Sequence, residues 1–371
     1  MTLRDSLGNT VTLQDAASLA AVNAFVEGFI ACETRVVDIL AAAEHDHSTL
    51  VQSYAGMLQM FSETPAAPVN AKPYFDRAQA SAPQATERER RFLGCLQAWA
   101  AGDITRAMAL HEAQVKDHPR DLVSLKLGHY HCFNRGDSPG MLRLALAALP
   151  HAADVPYLHG MAAFAYEQCH LLDEAEAAAS LAIRMRRKEP WAHHAMAHVM
   201  LTEGRIEEGL AFTLGVSDTW IGLNSFMETH NWWHVALFQL ERREHDAALR
   251  TYDEHVWGVC KDYTQDQIGA VSLLARLELA GVDVGSRWND VADYLEARTD
   301  DHVLPFLDMQ YLYGLARAGR PQADGLMASV ERWAAQAPPQ SSAAWQRVCV
   351  PACRGLLAAA RGDFRTAIDQ L

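Results

Sequence analysis

The sequence has little that would place it outside a reducing compartment or fasten it to a charged polymer. Its seven cysteines, Cys32, Cys95, Cys132, Cys169, Cys260, Cys349 and Cys353, are odd in number and scattered, so no disulfide framework can be drawn from them. Most lie in apolar helical runs, where cysteine behaves as a small core residue. No apolar run reaches the roughly 20 residues that cross a bilayer, and the opening Met-Thr-Leu-Arg-Asp-Ser lacks a signal-peptide pattern. Lys and Arg number 32 against 46 acidic residues, for a formal charge of −14. That balance is the reverse of a nucleic-acid footprint and is unsuited to anionic lipid. There is no Walker loop, dinucleotide fingerprint, Gly-x-Ser-x-Gly elbow or His-Glu-x-x-His. Strand-like alternation is missing as well. The expectation is a cytoplasmic, all-α protein without nucleic-acid or membrane partners; its oligomeric state is not legible.

What is present is a period. Half of the 371 residues are hydrophobic and 21% are charged, ample for a packed core. Helical spacing runs over Thr12–Phe29, with Thr12 or Asp15 as N-cap, then around Val36–Glu44 and Leu50–Phe61, before Thr64-Pro65-Ala66-Ala67-Pro68 breaks the pattern as a loop. Beyond it, small residues recur at Cys95, Gly128, Ala163, Ala197 and Ala236, in steps of 33, 35, 34 and 39. A second set, Ala107, Gly140, Ala175, Gly209 and Ala248, trails the first by twelve. Turn-like strings separate them: Gly102-Asp103, Arg135-Gly136-Asp137 and Glu203-Gly204-Arg205, with Arg361-Gly362-Asp363 repeating the phrase near the end. Helix, short turn and helix at this period are the tetratricopeptide signature, in which small residues let helices approach. The fold class is therefore an all-α, tetratricopeptide-type solenoid of antiparallel helix pairs curling around a concave groove. An N-terminal helical cap would occupy 1–85, the core repeats 86–257, and closing repeats 258–371. The 39-residue step marks an insertion at Val216–Leu223, either an incidental lengthening or a lid.

Seven of the seventeen histidines fall within Glu189–Trp257. Two pentapeptides, His194-Ala195-Met196-Ala197-His198 and His230-Asn231-Trp232-Trp233-His234, each set two histidines four residues apart, on one face of a helix. Several motifs in order, Pro156-Tyr157-x-x-Gly160-x-x-x-Phe164-x-x-Glu167, Trp191-x-x-His194-x-x-Ala197-His198-Val199, His230-Asn231-Trp232-Trp233-His234-x-Ala236-Leu237, Tyr252-Asp253-x-His255 and Val284-Gly285-x-Arg287-Trp288, resemble the tetratricopeptide repeat protein 38 family over roughly Asp121–Arg320. The resemblance implies a tetratricopeptide solenoid and no particular activity. The chain departs from the family pattern at Gln310, where a histidine is expected after Asp308, so any role of that histidine is lost or transferred.

In tetratricopeptide folds the first helix of each unit lines the groove at its second, fifth, ninth, twelfth and thirteenth positions. That rule, which comes with the fold resemblance, sends His129, Glu167, His194, His198 and His230 into one concavity, with His234 one step off. Such a set could coordinate zinc, iron or manganese through His194, His198, His230, His234 and Glu167. Without metal, the imidazoles could act as acid and base near neutral pH, with Glu167 orienting one of them. A buried network that merely fixes register is the structural alternative. The metal-free site ranks first, because four imidazoles and one carboxylate bring little negative charge; the cofactor expectation is thus none, or a divalent transition metal. Lys126, Trp191, Trp232, Trp233, His302 and Asp308 are the expected substrate contacts, with one of Trp232 and Trp233 packing in the core. His193 and His245 are expected in solvent, and His255 between helices. Arg184–Lys188 reads as cations at a helix C-terminus. Pro351 argues against a joint Cys349–Cys353 metal site. Acid–base or hydrolytic chemistry on a small molecule is the favoured function. The other reading is a scaffold holding a peptide or protein partner, although such grooves usually recruit Lys, Arg and Asn.

Overall fold

The computed structural model describes residues 3–371; Met1 and Thr2, at the head of the segment read for a signal pattern, lie outside them. The fold is all-α, of the tetratricopeptide helical-repeat type, apart from one two-residue hairpin that pairs Leu3–Arg4 with Thr10–Val11. Among the described residues no helix is long and apolar enough to cross a membrane. Two compact units divide the chain: Met1–Phe61 with Ala66–Met227, and Ser62–Pro65 with Glu228–Leu371.

The first unit begins with α1 (Leu19–Ala31), α2 (Asp38–Ala43), α3 (Thr49–Met60) and α4 (Ala67–Ser81). Asp15 caps the 3-10 turn that leads into α1. The expected loop at Thr64–Pro68 is shorter than its composition suggests. Pro68 lies in the first turn of α4, where a missing N–H costs nothing. Helix pairs follow: α5 (Glu87–Ala100) with α6 (Ile104–Asp117), α7 (Leu122–Asn134) with α8 (Ser138–Ala152), α9 (Pro156–Gln168) with α10 (Leu172–Met185), and α11 (Pro190–Thr202) with α12 (Ile206–Val216).

The period has a physical basis at both the crossings and the turns. Cys95, Ala107, Ala163, Ala175 and Ala197 are wholly buried, and a Cβ added to Gly128 would stand 3.0 Å from Leu144 and 3.3 Å from His111. Gly102 and Gly136 adopt left-handed φ of 74° and 68°, which an L side chain resists. The aspartate after each glycine then caps the next helix: Asp103 accepts from the Arg106 amide at 3.0 Å and Asp137 from that of Gly140 at 2.9 Å. Gly362 (φ 80°) and Asp363 repeat the device near the C-terminus. Ala197→Leu should overpack its crossing and cost about 1–3 kcal/mol. An unchanged melting temperature in that variant would show that the crossing tolerates bulk and that the register is misplaced.

The insertion at Val216–Leu223 is held in place. Ser217–Trp220 forms a 3-10 turn with Trp220 buried. Leu223 bridges to Glu33, and the Asn224 amide donates to the Cys32 carbonyl at 2.6 Å. The basic run lies at the C-terminus of α10 as expected, with Arg184 in its last turn, and it also secures the same segment: Arg187 pairs with Asp218 and donates to the Gly215 carbonyl, and Lys188 donates to the Ile221 carbonyl.

The second unit carries α13 (Ser225–Glu241, its first three residues in the first unit), α14 (His245–Thr251), α15 (Thr264–Leu279), α16 (Arg287–Leu295), α17 (Pro305–Arg317), α18 (Gln322–Gln336), α19 (Pro339–Ala344), α20 (Val350–Ala360) and α21 (Phe364–Gln370). Ala236 and Ala248 are wholly buried, as the period requires, in a core that includes Val271, Leu295, Tyr311 and Leu315. Two π-helical turns, Tyr252–Val256 and Trp345–Cys349, interrupt the regular winding.

Candidate functional site

The site is built first from α9 and α11. Proline at the first position starts each helix without a wasted amide, and the Glu189 side chain caps α11 by accepting from the Ala192 amide. One turn separates His194 from His198, and their Nε2 atoms stand 3.0 Å apart. The other nitrogen of His198, Nδ1, lies 3.2 Å from Glu167 Oε1 on α9. An ionised carboxylate can only accept, so His198 carries its hydrogen on Nδ1 and directs the Nε2 lone pair toward His194. Glu167 Oε2 accepts from the Gln168 amide at 2.8 Å. Burial raises the Glu167 pKa, but the His198 hydrogen bond and charge and the Gln168 bond outweigh it and hold the carboxyl below its ordinary value. Glu167 therefore stays ionised to lower pH than a free glutamate. Phe164 and Trp191 wall His194, with ring centroids at 5.1 and 5.4 Å.

On α13 the second pair has the same spacing, with His230 and His234 ring centroids 5.0 Å apart. Trp233 stacks on His230 at 5.5 Å and 10°, and the Arg276 guanidinium lies over Trp233. Trp232 turns the other way and stacks on His255 at 3.8 Å and 9°.

Several expectations change. Lys126 is not a cation offered to a ligand. Its ammonium donates to the Phe29 carbonyl at 2.7 Å, the Ile30 carbonyl at 3.2 Å and Cys32 Sγ at 3.0 Å, satisfying the open carbonyls at the end of α1. His129 does not join the four histidines. It turns toward its own partner helix α8, where burial, with Lys126 adding, brings it to about 4 against a hydrogen bond to the Met141 backbone. It is neutral at pH 7. His193, expected in solvent, is buried and accepts from Trp220 Nε1 at 3.2 Å; burial lowers it to about 4. Neither Trp232 nor Trp233 is a core residue, since both are only partly buried. Glu167 touches the histidine ring, which makes it a support for a ligand more than a ligand. His302 and Asp308 form a separate group: His302 Nδ1 is 2.6 Å from Asp308 Oδ2 and Nε2 is 2.8 Å from Ser329 Oγ. Cys349 and Cys353 do meet, with Sγ atoms 3.8 Å apart, because Pro351 sits in the first turn of α20 and leaves the winding intact.

Sequence reasoning passed over Glu189, Ser329 and Asp300. Glu189 carried a signal, a carboxylate just before Pro190 at a helix start. Ser329 carried none, being one serine inside an ordinary amphipathic helix. No protein-family model matches the sequence. Among solved structures this chain is similar to one described as Naa15/Naa10 bound to HypK-THB, at 12% identity and a TM-score of 0.30, over 95% of this chain and 57% of that one. The chain thus spans a little over half the length of that protein, and so distant a likeness brings no function with it.

Proposed function

We propose that His194, His198, His230 and His234 hold a divalent transition metal of the zinc, iron, copper or nickel range, and that the protein uses it in acid–base or hydrolytic chemistry on a small molecule. The observations that carry the reading are the two matched pairs: His194 and His198 with Nε2 atoms 3.0 Å apart, and His230 and His234 with ring centroids 5.0 Å apart. With metal–nitrogen bonds of about 2.0–2.1 Å, the two nitrogens 3.0 Å apart are close enough that one ion would bind both. Glu167 on His198 Nδ1 completes the carboxylate–histidine–metal arrangement that fixes tautomer and raises ligand basicity. That support offsets the low negative charge which, on the sequence, ranks a metal-free site first. Imidazole donors suit these metals, and the bound ion would acidify a water molecule. The peptide-scaffold reading loses its main cation, since Lys126 is engaged by α1. Membership of the tetratricopeptide repeat protein 38 family is proposed on the ordered motifs.

Metal analysis of the purified full chain tests this, followed by titration with Zn²⁺ and with Co²⁺ as a spectroscopic probe. One ion per chain is expected, with a lower melting temperature after chelation, because a ligand that binds only the native state stabilises it. His198→Ala should remove both the ion and the chelator effect, and Glu167→Gln should weaken binding about 10–100-fold. Wild-type protein that takes up neither metal stoichiometrically would refute the site.

A further inference from the structure

The hydrogen-bonded group in the second unit has the order of a nucleophilic centre. Asp308, in the first turn of α17, is wholly buried and reaches His302 Nδ1 at 2.6 Å. His302 Nε2 stands 2.8 Å from Ser329 Oγ on α18. Carboxylate, imidazole and hydroxyl are thus connected through opposite ring nitrogens, the geometry in which an imidazole can take a serine proton while a carboxylate steadies the resulting cation. His302 is held for this. It has a left-handed φ of 48°, uncommon for a non-glycine residue and concentrated at functional sites. Its ring stacks on Trp333 at 5.5 Å and 18° and meets Trp345 edge-on at 6.0 Å.

The group opens onto a cavity of about 250 Å³ lined by Asp300, His302, Ser329, Arg332, Trp333 and Gln336. Ser329, Arg332, Trp333 and Gln336 follow the i, i+3, i+4, i+7 spacing of one helix face. Ser329 is mid-helix, so its own amide belongs to the helix ladder. Donors for a developing oxyanion must then be side chains, and Arg332, Gln336 and the Trp333 indole N–H are the donors on that face. Asp300 Oδ1 also stands 2.5 Å from Ser329 Oγ. The hydroxyl has one hydrogen, which can go to Asp300 or to His302 but not to both.

We propose that this group is an acyl-transfer site for small carboxylic esters, distinct from the four-histidine cluster. Ser329 is the nucleophile, His302 the general base, and Asp308 a positioning residue. Ser329 Oγ attacks the ester carbonyl carbon as His302 Nε2 takes the hydroxyl proton. The tetrahedral species collapses with cleavage of the bond to the leaving oxygen, which receives that proton from His302. Water then attacks the acyl-serine with the same proton transfers, releasing the carboxylic acid and restoring Ser329. Asp300 restrains the site by engaging the hydroxyl hydrogen, so removing it favours the reactive rotamer.

The test is labelling of the full chain with a small fluorophosphonate, with the adduct located by peptide mass spectrometry. The wild type should be labelled at Ser329, and Asp300→Ala should be labelled at least several-fold faster. Ser329→Ala should give no adduct, and His302→Ala at least a tenfold slower reaction, with circular dichroism and melting checked for each. Asp300, Asp301 and Asp308 face the imidazole, and the Arg332 guanidinium lines the same cavity. Asp308→Asn should slow labelling and move its pH midpoint down, an effect that mere packing would not produce. An adduct only at other residues, or none in either the wild type or a folded Asp300→Ala protein, would overturn the assignment.

Discussion

Replacing Arg88 by alanine is expected to lower the stability of the protein by about 3–5 kcal/mol, the usual cost of breaking a buried ion pair from one side. Arg88 and Asp121 have side chains only 4% and 3% exposed and meet at 2.9 Å. The guanidinium also donates to the Thr10 carbonyl at 3.2 Å, tying the N-terminal hairpin to α5. Asp121 is shared more widely: it accepts from Gln114 Nε2 at 2.8 Å and caps α7 through the Ser124 amide at 3.2 Å. Burial opposes the guanidinium charge, but Asp121, Tyr54 and Asp5 outweigh it, so Arg88 stays protonated. Without Arg88 the Asp121 carboxylate remains buried with only neutral donors. Denaturant unfolding of the wild type and of Arg88→Ala gives the difference directly. A matched Arg88→Met/Asp121→Asn protein should recover part of the loss, because it leaves no unpaired charge. A loss below about 1 kcal/mol in the single variant would mean that water enters and solvates Asp121, contrary to the packing.

The repeat was legible because its cause is local. A small residue every 33 to 39 positions is what helix crossings demand, and a glycine–aspartate pair is what a left-handed turn followed by a cap demands. Helix α4 was hidden because two prolines, Pro68 and Pro73, look like breakers when read in sequence. The paired histidines were legible too, since i, i+4 spacing needs only the helix. Partner identity was harder. Lys126 meets carbonyls almost a hundred residues earlier, and His193 meets a tryptophan within an insertion. No spacing rule reports either contact. His129 illustrates the limit of the positional rule: it shares a helix with Lys126, yet it bonds to the Met141 backbone on α8. The link between His302 and Ser329 joins two segments 27 residues apart, through a connector whose backbone conformation no propensity foretells.

Glu189→Gln is expected to flatten the alkaline fall in stability that the wild type should show. The Glu189 side chain is wholly buried at the start of α11. It fits because Gly160 on α9 leaves no Cβ, which would otherwise stand 3.0 Å or less from both carboxyl oxygens. Burial raises the carboxyl to about 8, opposed by hydrogen bonds from the Ala192 and Trp191 amides and by the Lys126 and Arg186 charges. Below pH 8 the folded protein therefore keeps this proton, whereas the unfolded chain releases it near 4.5. Between those values the native state binds one more proton than the unfolded state, so stability falls as pH rises. The stabilisation is complete below about pH 4.5 and is lost as pH climbs through 8. One proton is worth about 1.4 kcal/mol per pH unit, and the full window amounts to about 5 kcal/mol as an upper limit. Glutamine keeps a carbonyl oxygen for the Ala192 amide and has no proton to lose. Unfolding free energies measured from pH 5 to 8.5 should thus show a slope smaller by about one proton in the variant. Parallel profiles for the two proteins would mean that Glu189 is ionised at neutral pH.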